Sequence, residues 1–263
     1  MTTILDKILQ TKKSQIEVML STPLLVHETT YQRPSLFDLM FHSEHLQIIS
    51  EIKRASPSKG LIADGVNPVE QAMNYYKAGA ACISVLTDTP FFQGTFADLQ
   101  DVAQTVPIPI LCKDFVIHTI QIDHAKHAGA SVVLLIVAAL TQEELTKLYT
   151  YATDQGLEVL VEVHDAQELD RALQLNAKLI GVNNRDLRTF EVDLARTAEI
   201  AALFPFQEER VLISESGIWN AEDAARVAEY GASGVLVGES LMRSGDVETA
   251  LRALQVKRGA ITL

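Results

Sequence analysis

The feature that most constrains this sequence is a β–α unit that repeats eight times after residue 45. In each unit, a short run of aliphatic and β-branched residues is followed by a polar turn and an amphipathic helical stretch. Apolar runs without alternation, such as 132–137, are typical of parallel strands that are covered on both faces. The predicted strands are 46–53, 81–86, 109–113, 131–137, 157–162, 178–183, 210–214 and 234–238.

Helix signals separate these strands at regular intervals. The predicted helices are 67–78, 95–105, 118–128, 141–155, 165–175, 193–203, 219–230 and 246–256. Glycines follow several of them where a left-handed terminating residue is favoured, and Thr141, Asp165 and Asn220 stand where caps are favoured. Eight units in about 210 residues predict an α/β fold, a single (β/α)₈ TIM barrel. A doubly wound open sheet shares the alternation and is the alternative.

Residues 1–45 precede the first predicted strand and form a helical extension. Ile4, Leu5, Ile8 and Ile16 have helical spacing, so we expect one or two extra helices. These helices could close the bottom of the barrel or cover its mouth, and the sequence leaves both possibilities open. Residues 1–263 show no linker or low-complexity segment, so we predict a single domain.

Composition excludes several classes of function. The net charge of −12, without a lysine or arginine cluster, disfavours nucleic acid as a partner. The N-terminus lacks a signal-peptide pattern, and the most apolar stretch, 131–140, is about half the length that spans a bilayer. Two cysteines fit a reducing compartment, so we expect a cytoplasmic protein without a membrane partner. His118, His124 and His127 lie on a predicted outer helix, and we expect no metal site there.

Polar residues collect at the predicted carboxyl ends of the strands, where barrel enzymes place their chemistry. They are Glu51, Lys53, Lys113, Glu162, Asn183, Arg185 and Glu215. A purely structural ion-pair network, Glu51–Lys53 beside Lys113–Glu162, is the alternative explanation. Two lysines and two glutamates together favour a site in which neighbouring charges adjust one another's pKa values.

The loops after the seventh and eighth predicted strands carry small residues that let backbone amides approach a ligand. Ser216-Gly217 and Gly238-Glu239 stand where barrels commonly bind phosphate. Phe91, Phe92, Phe115 and Pro57 follow other strands and predict an apolar wall for a flat group. The sequence therefore indicates a ligand that carries both a phosphate and a flat aromatic group.

Several segments in combination resemble the indole-3-glycerol phosphate synthase family. They are EIKRASPSKG at 51–60, LCKDF at 111–115, LLIV at 134–137, VEVH at 161–164, GVNNRDL at 181–187, SESGI at 214–218 and VGESLM at 237–242. The resemblance extends over essentially the whole chain. It implies conversion of 1-(2-carboxyphenylamino)-1-deoxyribulose 5-phosphate to indole-3-glycerol phosphate, carbon dioxide and water, a step of tryptophan biosynthesis, without a metal or organic cofactor.

The resemblance also implies roles for individual residues. Lys113 would be the acid of ring closure, Glu162 and Lys53 would act in dehydration, Glu51 would position a lysine or relay a proton, and Asn183 would hold a substrate hydroxyl. The substrate-binding residues would be Ser56, Pro57, Phe92, Phe115, Leu134, Arg185 and Glu215. The phosphate-binding residues would be Ser216, Gly217, Gly238 and Glu239.

Two other functions remain as alternatives at this point. One is another phosphate-binding barrel enzyme, such as phosphoribosylanthranilate isomerase, and the other is a non-catalytic phosphosugar-binding module. We expect a small anionic phosphosugar as the ligand and favour a monomer. The long loop at 56–67, with Lys59, Gly60 and Gly65, is expected to act as a lid.

Overall fold

A computed structural model describes residues 3–22, 24, 32–63 and 65–259 of the chain. Eight parallel strands close into a barrel in which each strand is hydrogen-bonded to the barrel strands before and after it in the chain, and the last is hydrogen-bonded to the first. The strands are β1 (Gln47–Ile52), β4 (Cys82–Leu86), β5 (Ile110–Lys113), β6 (Val132–Ile136), β7 (Glu158–Val163), β8 (Leu179–Asn183), β9 (Val211–Glu215) and β10 (Gly234–Val237). The predicted TIM barrel is confirmed, and the alternative prediction of a doubly wound open sheet is wrong.

Helices alternate with these strands and cover the outside of the barrel. They are α3 (Pro68–Ala78), α5 (Phe96–Thr105), α6 (Thr119–His127), α7 (Gln142–Asp154), α8 (Ala166–Gln174), α9 (Ala195–Ala201), α10 (Ala221–Glu229) and α12 (Val247–Leu254). Thr141, Asp165 and Asn220 accept backbone hydrogen bonds at the starts of α7, α8 and α10, as expected of caps. No helix among the described residues is long and apolar enough to span a bilayer.

Five short elements were not among the predicted strands and helices. A two-stranded hairpin, β2 (Ala55–Ser56) with β3 (Gly60–Leu61), lies in the loop after β1. Helices α4 (Thr89–Phe92) and α11 (Glu239–Met242) follow the second and eighth barrel strands, and a 3₁₀ turn, Val137–Ala139, follows the fourth. Each is too short for a periodic pattern, so sequence periodicity cannot detect it.

Two apolar layers hold the barrel together. Ile49, Leu111, Leu134, Leu160 and Ile213 pack inside it, and a larger layer lies between strands and helices. Cys82 belongs to the inner layer and Cys112 to the outer one, so Cys112 and the adjacent Lys113 point in opposite directions, as strand alternation requires.

The N-terminal extension contributes one helix to each end of the barrel. Helix α1 (Ile4–Ser21) lies at the mouth, where Ile4, Leu5 and Ile8 line a cavity. Helix α2 (Leu36–Phe41) lies at the bottom of the barrel, next to the start of β7. There the Glu158 carboxylate accepts hydrogen bonds from the backbone N–H groups of Leu36 and Phe37 at 2.7 and 2.8 Å. The carboxylate thereby satisfies donors that a helix leaves unpaired at its start.

Candidate active site

A cavity of about 360 Å³ opens at the carboxyl ends of the barrel strands. All of the catalytic, substrate-binding and phosphate-binding residues predicted from the sequence line it. They are Glu51, Lys53, Ser56, Pro57, Phe92, Lys113, Phe115, Leu134, Glu162, Asn183, Arg185, Glu215, Ser216, Gly217, Gly238 and Glu239. The barrel thus brings together residues from all eight strands or the loops that follow them, since parallel strands end on the same side.

The charged centre of the cavity is built around Glu51. Its carboxylate lies 2.5 Å from Lys53 Nζ and 3.5 Å from Lys113 Nζ. Burial alone would raise the pKa of Glu51, but the two ammonium groups outweigh it and lower the pKa. Glu51 therefore stays ionised and holds both lysines in place.

Lys113 has different partners from those that the sequence suggested. Its Nζ lies 3.5 Å from Glu51 and 3.8 Å from Glu215, instead of pairing with Glu162. Burial opposes the ammonium form, but the charges of Glu51, Glu215 and Glu162 prevail and raise the pKa of Lys113. Lys113 is consequently a protonated donor that faces the cavity.

Glu162 is held by an amide rather than by a lysine. Asn183 Nδ2 donates to Glu162 Oε1 at 3.1 Å, and Asn183 Oδ1 accepts from the backbone N–H of Arg185 at 3.0 Å. These two bonds orient the Asn183 amide, so its carbonyl and nitrogen cannot exchange places without losing both. The Arg185 side chain donates to the carbonyl of Phe190 at 3.2 Å while lining the cavity.

Glu215 was predicted to bind substrate, and its side chain is almost inaccessible to solvent. Its side chain is buried, and neither carboxyl oxygen has a hydrogen-bond partner among the described residues. Burial and the nearby Glu162 carboxylate raise the pKa of Glu215 to about 8, with Lys113 opposing the shift. Glu215 therefore holds its proton to a higher pH than an ordinary glutamate does, a property that the sequence did not indicate.

A buried amide fixes the turn that follows Glu215. Asn184 Nδ2 donates to Ser214 Oγ and to the carbonyls of Glu215 and Ser216, at 2.9 to 3.1 Å. Thr197 completes this network by donating to Asn184 Oδ1 at 2.8 Å. The network holds Ser216 at a φ of 67°, a left-handed conformation that non-glycine residues rarely adopt. Asn184 and Thr197 are positioning residues that sequence reasoning missed.

The proposed phosphate end leaves no room for larger side chains. A Cβ atom at Gly238 would lie 2.5 Å from Glu51 Oε1, and one at Gly217 would lie 2.5 Å from Val192 Cγ1. Ser240 Oγ donates to the carbonyl of Ile218 at 2.9 Å and joins the two loops. The Glu239 carboxylate pairs with Arg243 at 3.1 Å, so its charge is partly compensated.

The opposite wall is aromatic and is anchored by helix α1. The rings of Phe92 and Phe115 lie 5.9 Å apart between centroids at an angle of 34°. Lys12 Nζ contacts Asp88 at 2.9 Å and Asp114 at 2.5 Å, and all three side chains are buried. Asp88 and Asp114 also accept hydrogen bonds from the backbones of Phe91 and Phe115. This Lys12 clamp, which the sequence did not reveal, joins the extension to both aromatic loops.

The loop after β1 is hydrogen-bonded at its base and open at its tip. Arg54 donates to both oxygens of Asp98, at 2.7 and 2.8 Å, and to the carbonyl of Gln93 at 2.9 Å. Beyond it, Lys59 lines the cavity at the tip of the β2–β3 hairpin. The side chain of Lys59 is exposed, so it can approach an anion from the solvent side.

Comparisons with known proteins find similar sequences over nearly the whole chain. The family model of indole-3-glycerol phosphate synthase matches residues 5–254. The chain is 48% identical to an indole-3-glycerol phosphate synthase of Oceanobacillus iheyensis over 97% of each chain, and 50% identical to one of Bacillus cereus over 95% of this chain and 96% of that one. Its fold is similar to that of 3-hexulose-6-phosphate synthase from Salmonella typhimurium, with a TM-score of 0.58 and 14% identity over 80% of this chain and 96% of the other.

Proposed function

Because the chain belongs to the indole-3-glycerol phosphate synthase family, we propose that particular residues of its cavity carry out each step of that family's reaction. The enzyme is a carboxy-lyase of tryptophan biosynthesis, which closes the indole ring of 1-(2-carboxyphenylamino)-1-deoxyribulose 5-phosphate. The reaction forms one carbon–carbon bond and releases carbon dioxide and water. The chain must therefore supply an acid, a base and sites for an aromatic ring and a phosphate.

Ring closure requires a proton on the ketone oxygen of the substrate. The ring carbon that bears the carboxylate attacks the ketone carbon, and negative charge develops on the oxygen. Lys113 supplies that proton, because the surrounding carboxylates keep it charged and it faces the cavity. The ketone oxygen becomes a hydroxyl group, and loss of carbon dioxide from the ring carbon then restores the aromatic ring.

Dehydration completes the pyrrole ring and requires an acid and a base. The new hydroxyl leaves as water after it receives a proton, and the carbon next to it loses a proton as the double bond forms. Lys53 and Glu162 are the pair that we assign to these transfers, with Lys53 as proton donor and Glu162 as acceptor. Glu51, which contacts Lys53 and Lys113, positions both lysines and can relay a proton between them.

The walls of the cavity fit the remaining parts of the substrate. The anthranilate ring packs between Phe92, Phe115, Leu134 and Pro57, and the Arg185 guanidinium faces its carboxylate. The phosphate lies at the opposite end, on the backbone amides of Ser216-Gly217 and Gly238-Glu239. Asn183 and Ser56 contact the hydroxylated chain that joins the aromatic ring to the phosphate, and Glu215 lines the same part of the cavity.

The observation that carries this assignment is the convergence of Lys53, Lys113, Glu51 and Glu162 between an aromatic wall and two glycine-containing loops. Its test is single-turnover kinetics with the carboxyphenylamino substrate, followed by the fluorescence of the indole product and by released carbon dioxide. We expect turnover by the wild-type chain and loss of dehydration in Glu162→Gln. Carbon dioxide release should persist in that variant, because decarboxylation precedes the step that requires Glu162. Wild-type kinetics in Glu162→Gln would contradict the assignment.

We also infer that one copy of the chain suffices for the reaction and that it acts in the cytoplasm. The aromatic wall, the charged centre and the phosphate loops all come from a single barrel, with the mouth bordered by α1 of the same chain. Sedimentation analysis under assay conditions tests the first inference, and fractionation of cells tests the second. Activity that rises with association of the chain would contradict a working monomer.

A further inference from the structure

His164 lies directly behind Glu162 and contacts two carboxylates. Its ring Nε2 is 3.4 Å from Glu162 Oε1, and its ring Nδ1 is 3.0 Å from Glu168 Oε2 on helix α8. The backbone N–H of His164 donates to the same Glu168 oxygen at 2.8 Å. The His164 side chain is about 10% exposed, so these contacts are largely shielded from water. None of the roles assigned above uses His164.

Glu168 determines which ring nitrogen of His164 carries a proton. An ionised carboxylate only accepts hydrogen bonds, so its contact with Nδ1 requires a proton there. The other nitrogen, Nε2, is buried and has no well-aligned hydrogen bond among the described residues. An unprotonated Nε2 would turn its lone pair toward the Glu162 carboxylate, whereas a protonated Nε2 would donate to it.

The charges around His164 favour the protonated ring. Glu162 on β7, Glu168 on α8 and Glu215 on β9 face it, and Lys113 lies beyond Glu215. Burial by itself would lower the pKa of His164, but the hydrogen bond to Glu168 and these carboxylates outweigh it and raise the pKa. The ring therefore holds its positive charge to a higher pH than a free histidine does.

We propose that His164, fixed by Glu168, is a positioning residue that donates from a protonated Nε2 to Glu162 Oε1. Asn183 Nδ2 donates to the same oxygen at 3.1 Å. Two donors on Oε1 leave Oε2 as the oxygen that exchanges a proton with substrate. The inference rests on the proposed role of Glu162 as proton acceptor, and it extends that role to a charged relay of Glu168, His164 and Glu162.

The arrangement has a consequence for the pH dependence of catalysis. A positive charge within about 4–6 Å favours an ionised carboxylate by one to three pH units. Removing the charge from His164 withdraws the cation that lies 3.4 Å from the carboxylate proposed to accept the substrate proton. The acidic limb of the kcat profile should then move to higher pH, whereas a merely structural role would leave it in place.

The first experiment compares pH profiles of kcat and KM for wild type, His164→Gln and Glu168→Gln. Glutamine at 164 keeps a neutral donor without the charge, and glutamine at 168 removes the charge that supports the imidazolium. We expect the acidic limb to move up by about one unit in His164→Gln and by less in Glu168→Gln. Below the limb, kcat falls about 10-fold for each unit of movement, while KM stays within about 3-fold. An unchanged limb in His164→Gln would overturn the proposal.

The second experiment measures the imidazole directly and does not depend on activity. The ¹⁵N shifts of His164 in the wild-type chain, assigned by their absence in His164→Gln, report protonation at both nitrogens. We expect protonation of both at pH 7, and loss of the Nε2 proton at a lower pH in Glu168→Gln. A neutral His164 at pH 7 would also overturn the proposal. If Glu162→Gln retained full activity, the role of Glu162 would fail, whereas the imidazole titration would still decide the charge of His164.

Discussion

At the residue scale, Lys113 has the surroundings that most constrain its chemistry. It ends β5, and the outward-facing Cys112 before it packs against the helices, so the lysine must face the barrel mouth. Carboxyl oxygens of Glu51 and Glu215 lie 3.5 and 3.8 Å from its ammonium group. A buried lysine normally loses its charge, and here three carboxylates prevent that loss.

Replacing Lys113 by methionine should lower the rate of ring closure by about 10² to 10⁴-fold, which is the usual range for loss of a general acid. Methionine preserves the length of the side chain but donates no proton. The measurement is single-turnover formation of product, with Lys126→Met on α6 as the control because that lysine lies on the outside of the barrel. Turnover of Lys113→Met within a few-fold of wild type would remove Lys113 from the mechanism.

The raised pKa of Glu215 should make the stability of the folded chain depend on pH. The folded chain holds this proton up to about pH 8, whereas a carboxyl group in an unfolded chain releases it near pH 4.3. The folded state thus binds more protons between these values, and the stabilisation that the proton provides is lost as pH rises through about 8. Glutamine at 215 cannot titrate, so Glu215→Gln should lose less stability than wild type between pH 5.5 and 9.

Thermal unfolding at both pH values measures this difference in stability. The Tm of Glu215→Gln relative to wild type should increase by roughly 3 °C or more between pH 5.5 and 9, on the scale of 2–4 °C per kcal/mol. Glu209→Gln is the matched control, because the Glu209 side chain is 75% exposed. A Tm difference that stays constant with pH would show that Glu215 is already ionised in the folded chain at pH 5.5.

At the scale of secondary-structure elements, the Lys12 clamp connects helix α1 to the loops after β4 and β5. Lys12→Met should leave Asp88 and Asp114 buried without a cation, a change that typically costs about 3–5 kcal/mol. Release of α1 should also loosen the Phe92–Phe115 wall and raise KM. Chemical unfolding and steady-state kinetics measure both effects, with the exposed neighbour Lys13→Met as control. Equal effects of the two substitutions would argue against a clamp.

The hairpin after β1 is the element that we expect to move during turnover. Gly60 and Gly65 have φ values of 63° and 65°, and a Cβ atom at either would meet nothing within 4 Å. Alanine would therefore act through backbone strain alone, at a cost of about 1 kcal/mol. If the hairpin closes over substrate, Gly60→Ala and Gly65→Ala should lower kcat, and a bound substrate analogue should slow proteolysis within 56–67.

Gly156→Ala provides the control for these lid variants. Gly156 also has a positive φ and open space around it, but it follows α7 at the opposite end of the barrel. It should lose stability without losing kcat. A static loop predicts instead that all three glycine variants leave kcat unchanged and that the analogue leaves proteolysis unaffected.

The sequence predicted elements and strand ends more completely than contacts between distant segments. Periodicity is enough to predict the eight strands, the helices between them and the polar residues at the strand ends, because it depends only on residues that are close together in the sequence. The seventh strand was predicted to end at Ser214, whereas β9 includes Glu215. The prediction stopped one residue early because a charged residue after an apolar run is not typical of a buried strand. The Lys12 clamp depends on segments far apart in the chain, and no local pattern encodes it.

At the scale of the whole molecule, the cavity is also the place where a ligand would stabilise the fold. Ligands that bind only the folded chain add RT ln(1 + [L]/Kd) to its stability, about 2.7 kcal/mol at 100 times Kd. Both proposed phosphate loops follow strands of the closed barrel, and Ser240 joins them by its bond to Ile218. An anion held there therefore ties the seventh and eighth strands together and should resist unfolding of the barrel as one unit.

Inorganic phosphate should accordingly raise the Tm of the wild-type chain by several degrees and compete with substrate. Trp219, the only tryptophan in the sequence, lines the cavity and reports binding through its fluorescence. Gly238→Ala should weaken phosphate binding and also lower kcat, because the added Cβ lies within 2.5 Å of Glu51 unless the backbone shifts. Gly245→Ala, with nothing within 4 Å of its Cβ, is the matched control. Equal protection of both variants by phosphate would place the anion elsewhere, whereas protection lost only in Gly238→Ala supports the site between these two loops.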